Sequence, residues 1–258
     1  MKVVLIGSGN VATHLGRALR KAGVEIVCVY SRCLEHAQAL AHTLSAQATH
    51  RIEDLPDADV FIFSVSDNVL PHLVEQVGAR FGHRTFIHTA GSISLDVFTG
   101  YAEHASVMYP MQTFTKSVPV DFSHLPIYIE ATNAETEVLV WQMASRISNN
   151  VKRLTSDERK WLHLAAVFAC NFANHCYTLA AEVMNRANLP FTDLLPLIET
   201  TTNKLHSTHP LEGQTGPAVR NDTVVMDKQK ALLADDALKQ EIYALMSQSI
   251  LSKESKRI

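Results

Sequence analysis

Gly7-Ser8-Gly9-Asn10-Val11-Ala12 is the first place where this sequence offers chemistry. At this spacing Gly7 permits a tight turn, Gly9 lets the backbone approach a pyrophosphate, and Ala12 allows a helix to pack closely on a strand. A helix opening there presents unpaired N–H groups and its positive dipole end to an anion. The next apolar run ends in Tyr30-Ser31-Arg32. Chains that bind NAD usually carry an acid there, about 20 residues after the glycines. An acid would repel a 2′-phosphate, whereas a hydroxyl and a guanidinium would bind it by charge-assisted hydrogen bonds. The pattern favours NADP over NAD. The plainer alternatives are a turn without a ligand and an ordinary solvated arginine.

Two further groups fall where strands run into turns. Ser64-Val65-Ser66-Asp67 and Thr89-Ala90-Gly91-Ser92 follow buried apolar runs. In doubly wound sheets ligands sit beyond the carboxyl ends of the strands, which puts Ser64, Val65, Ser66, Thr89 and Gly91 near a nicotinamide. The same residues also read as turns with Ser66 or Asp67 as an N-cap. On a later helical stretch, residues advance by about 100° each, so His163, Asn171, Asn174 and Thr178 share a face. Buried amides without partners are costly, so that stripe must meet polar groups, water or ligand. His163 is the candidate proton donor, with Asn171 and Asn174 orienting. The other reading has the stripe hydrogen-bonding neighbouring helices or a second subunit. In Gln214–Asp222, Gly216-Pro217 shapes a loop that carries Arg220. Arg220 is either a substrate-binding cation or the partner of a nearby acid such as Asp222.

The elements that position these residues follow from periodicity. Val3–Ile6, Val24–Val29, Asp59–Val65, Thr85–His88, Val107–Phe114, Ile127–Ala131 and Val151–Leu154 read as strands. Helical patterns fall between them from about Val11, Leu34, Asn68 and Ala134. This alternation predicts an α/β fold with a doubly wound, Rossmann-type, mostly parallel sheet. Ser156-Asp157-Glu158 then opens a long helical stretch to about Ala187, stopped by Pro190. No strand pattern follows. The expected division is a dinucleotide-binding domain over 1–155 and an all-helical domain over 156–258. The stretch Leu162–Ala181 is too polar for a lipid-facing helix and reads as a buried central helix.

Composition narrows the rest. At 258 residues, 47% hydrophobic, the chain can bury a proper core. Its net charge of -3 gives no reason to propose nucleic acid or an anionic membrane as partner. The first strand is expected almost at once, so no signal peptide is expected. The four cysteines lack CxxC spacing and fit a reducing cytoplasm with buried thiols. Thirteen histidines occur without HExxH or Cys/His pairing, so no metal site is expected.

The chain resembles a bacterial family of NADP oxidoreductases. Its N-terminal half looks like the NADP-binding fold of pyrroline-5-carboxylate reductases and of cofactor-F420-dependent NADP oxidoreductases. The resemblance rests on GSGNVA at the start, VYSR at 29–32, HTAGS at 88–92, YPMQTF at 109–114, HLAAVFACNFANH at 163–175 and TGPAVR at 215–220. It implies an NADP-binding domain followed by a helical domain of unknown function. In the 6-phosphogluconate-dehydrogenase-like superfamily, such a helical domain serves dimerisation and substrate binding. A homodimer that reduces a small carbonyl or imine with NADPH is therefore expected. A non-catalytic NADP sensor or protein-interaction module is the alternative. Two departures bear on mechanism. Relatives commonly carry His-Pro where this chain has Tyr109-Pro110, so Tyr109 would act as a much weaker acid. The lysine common in hydroxyacid dehydrogenases, one helical turn before an asparagine, is replaced by Val167 before Asn171.

Overall fold

The computed structural model describes residues 1–254. It divides into two compact units, Met1–Cys170 and a second from Asn171 onward.

In the first unit the strands are β1 (Lys2–Ile6), β2 (Glu25–Tyr30), β3 (Gln47–Thr49), β4 (Val60–Phe63), β5 (Thr85–His88), β6 (His104–Pro110), β7 (Ile127–Ala131) and β8 (Val151–Arg153). The helices between them are α1 (Asn10–Lys21), α2 (Leu34–Leu44), α3 (Leu70–Phe81) and α4 (Ala134–Ser145). The sheet order is β3-β2-β1-β4-β5-β6-β7-β8. Every neighbouring pair is parallel except β6 with β7. Alternate residues of each strand serve opposite faces. Val3 and Leu5 join α1, α2 and α4 in one core cluster, while Val4 and Ile6 join α3 in the other. Burial on both faces explains why these strands are written as continuous apolar runs. The chain leaves β1 for β2 and β3 on one side, then returns to β4 on the other. That reversal opens a crevice at the carboxyl ends of β1 and β4.

Helix α5 (Ser156–Ala166) starts as its sequence predicts. Thr155 accepts the Glu158 N–H, and the Glu158 carboxylate accepts the Thr155 N–H, which completes a capping box. Two expectations for the stretch beyond it need correction. Val167–Phe172 is a π-helical segment, and α-helix resumes only in α6 (Ala173–Arg186). A π turn closes i→i+5 hydrogen bonds, so counting 100° per residue from His163 no longer fixes the face of Asn171 or Asn174. Nor is this a buried helix within one chain. Asn171 and Asn174 are exposed and α6 has no buried residue, so water can satisfy the amides that the burial argument left in need of partners.

The second unit continues with α7 (Leu195–Asn203), α8 (Thr223–Ala231) and α9 (Ala237–Glu254). Lys239 on α9 bridges Glu182 on α6 at 2.8 Å and Asp236 at 2.7 Å, and Arg186 meets Asp235 at 2.7 Å. Few apolar side chains are buried here, while Leu197, Leu205, Leu232, Leu238 and Leu245 are all more than half exposed. No helix of the described residues is long and apolar enough to cross a membrane. Of the thiols, Cys28 is buried and Cys33 half-buried, but Cys170 and Cys176 are exposed, against the expectation of buried cysteines.

Candidate functional site

The turn after β1 is shaped by steric necessity. Gly7 has φ +119°, and a Cβ there would lie 2.2 Å from the Ser64 carbonyl oxygen. No L side chain fits that position. A Cβ on Gly9, by contrast, would meet nothing within 4 Å. The backbone of Gly9 therefore faces open space where α1 begins, and Gly9 itself caps the helix without a side-chain bond. This is the concavity a pyrophosphate requires: free N–H groups at a helix start and no side chain in the way. Ala12 lies beneath it, fully buried against the sheet.

Around this turn lies a cavity of about 470 Å³. Gly7, Ser8, Gly9, Asn10 and Val11 form one wall, Tyr30, Ser31 and Arg32 a second, and Ser64, Val65, Ser66, Thr89 and Gly91 a third. Ser8 donates to the Ser31 hydroxyl at 2.9 Å, which ties the glycine turn to the end of β2. Arg32 is exposed at the rim. The buried hydroxyls of Ser64 and Thr89 pair at 2.8 Å, and Ser92 donates to Asp67. The residues present thus fit a dinucleotide with a 2′-phosphate: donors at the turn, a hydroxyl and a cation beside it, and small hydroxyl residues further along.

At the far end of the cavity, the Tyr109 hydroxyl sits 3.2 Å from Nδ1 of His163, with the rings edge to face. Both side chains press on Gly91, where a Cβ would lie 2.5 Å from His163 Nδ1 and 3.1 Å from Tyr109 Cε2. Burial raises the Tyr109 phenol above its ordinary value, and the charge of Arg159 pulls it partly back. Arg159, one helical turn before His163 on α5, is 1% exposed. It donates to Glu130 at 2.8 Å, to the Ile93 carbonyl at 2.6 Å and to Ser156 at 3.0 Å. Glu130 in turn accepts from the Ser156 N–H and hydroxyl at 2.9 and 2.6 Å. These bonds fix the first turn of α5 to β7 and to the loop after β5, and so fix where His163 stands. His88, fully buried at the end of β5, accepts the Ala90 N–H at Nδ1 and leaves Nε2 without a partner among the described residues. Desolvation, reinforced by Arg159, lowers its pKa to about 3, the Ser94 backbone opposing weakly. The ring is neutral at physiological pH.

The first unit therefore gathers the cofactor-type residues with Tyr109 and His163. Asn171, Asn174 and Arg220 belong to the second unit. Arg220 is exposed in the loop before α8 and makes no ion pair with Asp222 among the described residues; Asp222 instead caps α8 by accepting the Val225 N–H. Gln112 and Phe114 also line the cavity, although the sequence placed them at the end of a strand. The strand stops at Pro110, and Asn10 donates to the Phe114 carbonyl at 2.8 Å, which draws the segment over the start of α1. Nothing local signals that fold-back. Arg159 and Glu130 are 29 residues apart, and only the tertiary structure reveals their pairing.

Comparisons agree with this geometry. Residues 2–90 match the family described as coenzyme-F420-dependent NADP oxidoreductase, and residues 125–250 match a domain of unknown function, DUF2520. A crystal structure described as that of a putative NADP oxidoreductase from Bacteroides fragilis shares 43% identity over 97% of this chain and 98% of its own, with TM-score 0.94. An imine reductase from Myxococcus stipitatus, solved with NADP+, is 15% identical over 97% and 93% of the two chains, with TM-score 0.67. A reductive aminase from Aspergillus terreus, solved with NADPH and ethyl levulinate, is 16% identical over 96% and 93%, with TM-score 0.71. These last two show the shared fold. No curated protein matches the sequence. At 43% identity over nearly the full length of both chains, this protein belongs to the family of the Bacteroides NADP oxidoreductase, an NADP-oxidoreductase-type N-terminal part followed by a DUF2520 part.

Proposed function

We propose that the protein is a cytoplasmic, NADP-dependent reductase of a small carbonyl or imine. The observation that carries this reading is one cavity in which a glycine turn, Ser31 with Arg32, and the Tyr109–His163 pair all converge. Gly7 to Ala12 and the start of α1 would hold the pyrophosphate, Tyr30, Ser31 and Arg32 the 2′-phosphate end, and Ser64, Val65, Ser66, Thr89 and Gly91 the nicotinamide end. When bound, the reduced nicotinamide supplies a hydride. The chain's own task is then the proton. Tyr109 keeps its phenolic proton across neutral pH, as any phenol does, and burial holds it more firmly still. It can give that proton to the substrate heteroatom, while the half-buried His163 ring, 3.2 Å away, relays a replacement proton from solvent to the phenolic oxygen. In the second unit, Asn171, Asn174 and Arg220 are exposed and free to hydrogen-bond a substrate. The exposed leucines of that unit are proposed to be covered by a second copy of the chain, giving a homodimer.

The decisive experiment is a fluorescence titration with NADPH and with NADH. Tight NADPH binding with NADH at least about tenfold weaker is expected, since the 2′-phosphate alone meets a charged partner. Failure of the folded protein to bind either nucleotide refutes the proposal.

A further inference from the structure

A larger cavity, of about 740 Å³, lies away from the glycine turn, between the second half of α1, the end of α4 and the 116–123 loop. Four cations from three segments face it: Arg17 and Lys21 on α1, Lys116 on the loop, and Arg146 at the end of α4. None of the four makes an ion pair among the described residues. The one acid in the lining, Asp121, has both carboxylate oxygens accepting from Ser123, by its N–H at 2.9 Å and its hydroxyl at 2.8 Å. Helix dipoles favour a cation at the end of α1 and of α4. That accounts for Lys21 and Arg146 singly. It does not account for Arg17 and Lys116 facing the same concavity, in a chain whose net charge is -3. Asp121 stays ionised, its carboxyl held low by the Ser123 bonds and, more weakly, by charges that include Lys21. One carboxylate against four cations still leaves the lining net positive over the buried Phe122 and Ile147, and such a concavity focuses a positive potential that an anion relieves.

We propose that this concavity is a second ligand site, one that takes a compact polyanion bearing two or more phosphate or carboxylate groups. The spread of the cations over three segments suits several oxyanions on one small body rather than a single charge. The site is independent of the cofactor reading, but the two cavities are neighbours in sequence: Phe114 lines the first and Lys116 the second. The test must therefore separate them.

Calorimetric titration of the full chain with inorganic pyrophosphate and, separately, with citrate does so in three proteins: the native chain, Arg17→Glu/Arg146→Glu, and Arg32→Glu. These substitutions are at exposed positions, and far-ultraviolet circular dichroism verifies that each variant is folded. Saturable binding of at least one probe is expected in the native chain and in Arg32→Glu, weakened at least about tenfold in the double reversal. Which probe binds decides between phosphate and carboxylate chemistry. Absence of saturable binding of both probes to the native chain overturns the proposal. So does undiminished binding in the double reversal, or loss confined to Arg32→Glu, which would assign the anion to the cofactor cavity.

Discussion

Acidification tests the buried end of β5. His88 is fully buried, and its pKa falls from 6.5 to about 3, first through desolvation and then through Arg159. The native ring therefore stays neutral at pH values where the unfolded chain protonates it. The unfolded state then binds the extra proton, so this contribution to stability is complete above pH 6.5 and declines as the pH falls towards 3. Each pH unit within that window costs about 1.4 kcal/mol, and lowering the pH from 6.5 to 5.0 removes about 2 kcal/mol. That figure needs only a native pKa well below 5. The carboxylates held low by hydrogen bonds, Asp57, Asp121, Glu158 and Asp236, lose their contributions only as the pH falls below their ordinary values of 3.8 to 4.5. His88 thus stands apart from them in the upper window. Urea unfolding followed by tryptophan fluorescence reads the first unit, because Trp141 and Trp161 both lie in it. His88→Asn keeps an acceptor for the Ala90 N–H but cannot titrate. Its stability is expected to stay level between pH 6.5 and 5.0 while the native protein loses about 2 kcal/mol. Equal pH slopes in the two proteins would refute the argument.

Two glycines should separate folding from binding. Gly7→Ala forces a Cβ to 2.2 Å from the Ser64 carbonyl at a positive φ, so a loss of about 3 kcal/mol or more in the same urea assay is expected. Gly9→Ala meets open space at an ordinary φ of -74°; stability within about 0.5 kcal/mol of native is expected, with NADPH binding weakened at least tenfold. A Gly9→Ala protein that binds NADPH as tightly as native would place the pyrophosphate elsewhere. For assembly, light scattering at micromolar concentration is expected to give twice the chain mass of 28.6 kDa, and a monomer would leave the exposed leucines of the second unit unexplained.

How much of this was legible in the sequence depends on how local each cause is. The boundaries of β5 and β7 match the pattern residue for residue, because both faces of the sheet are buried and apolar runs mark it directly. The glycine turn was legible because its constraint is local, a positive φ and an open face. Gln47–Thr49 was missed: three residues at the sheet edge carry too little periodicity to register. The strand expected over Val107–Phe114 is instead His104–Pro110, since pairing with β5 and β7 sets its register. The π segment went unseen because its residues fit an α-helical pattern equally well. His163 was a candidate from its type alone. What places it, Arg159 held by Glu130 and Ile93, depends on residues distant in sequence.

That placement bears on the chemistry proposed. A phenol raised by burial is a poor base at neutral pH, because its ionised form is scarce. Its proton is present at neutral pH, and the reductive direction, where a heteroatom gains a proton as its carbon gains hydride, is the one that uses it. Arg159 counters part of the burial effect at Tyr109, and the same cation adds to the desolvation that keeps His88 neutral. One buried charge, paired with Glu130 at 2.8 Å, thereby opposes the effect of burial at Tyr109 and reinforces it at His88. On the proposed reading, this division gives the Tyr109–His163 pair, 3.2 Å apart, the task of holding a proton and passing it on.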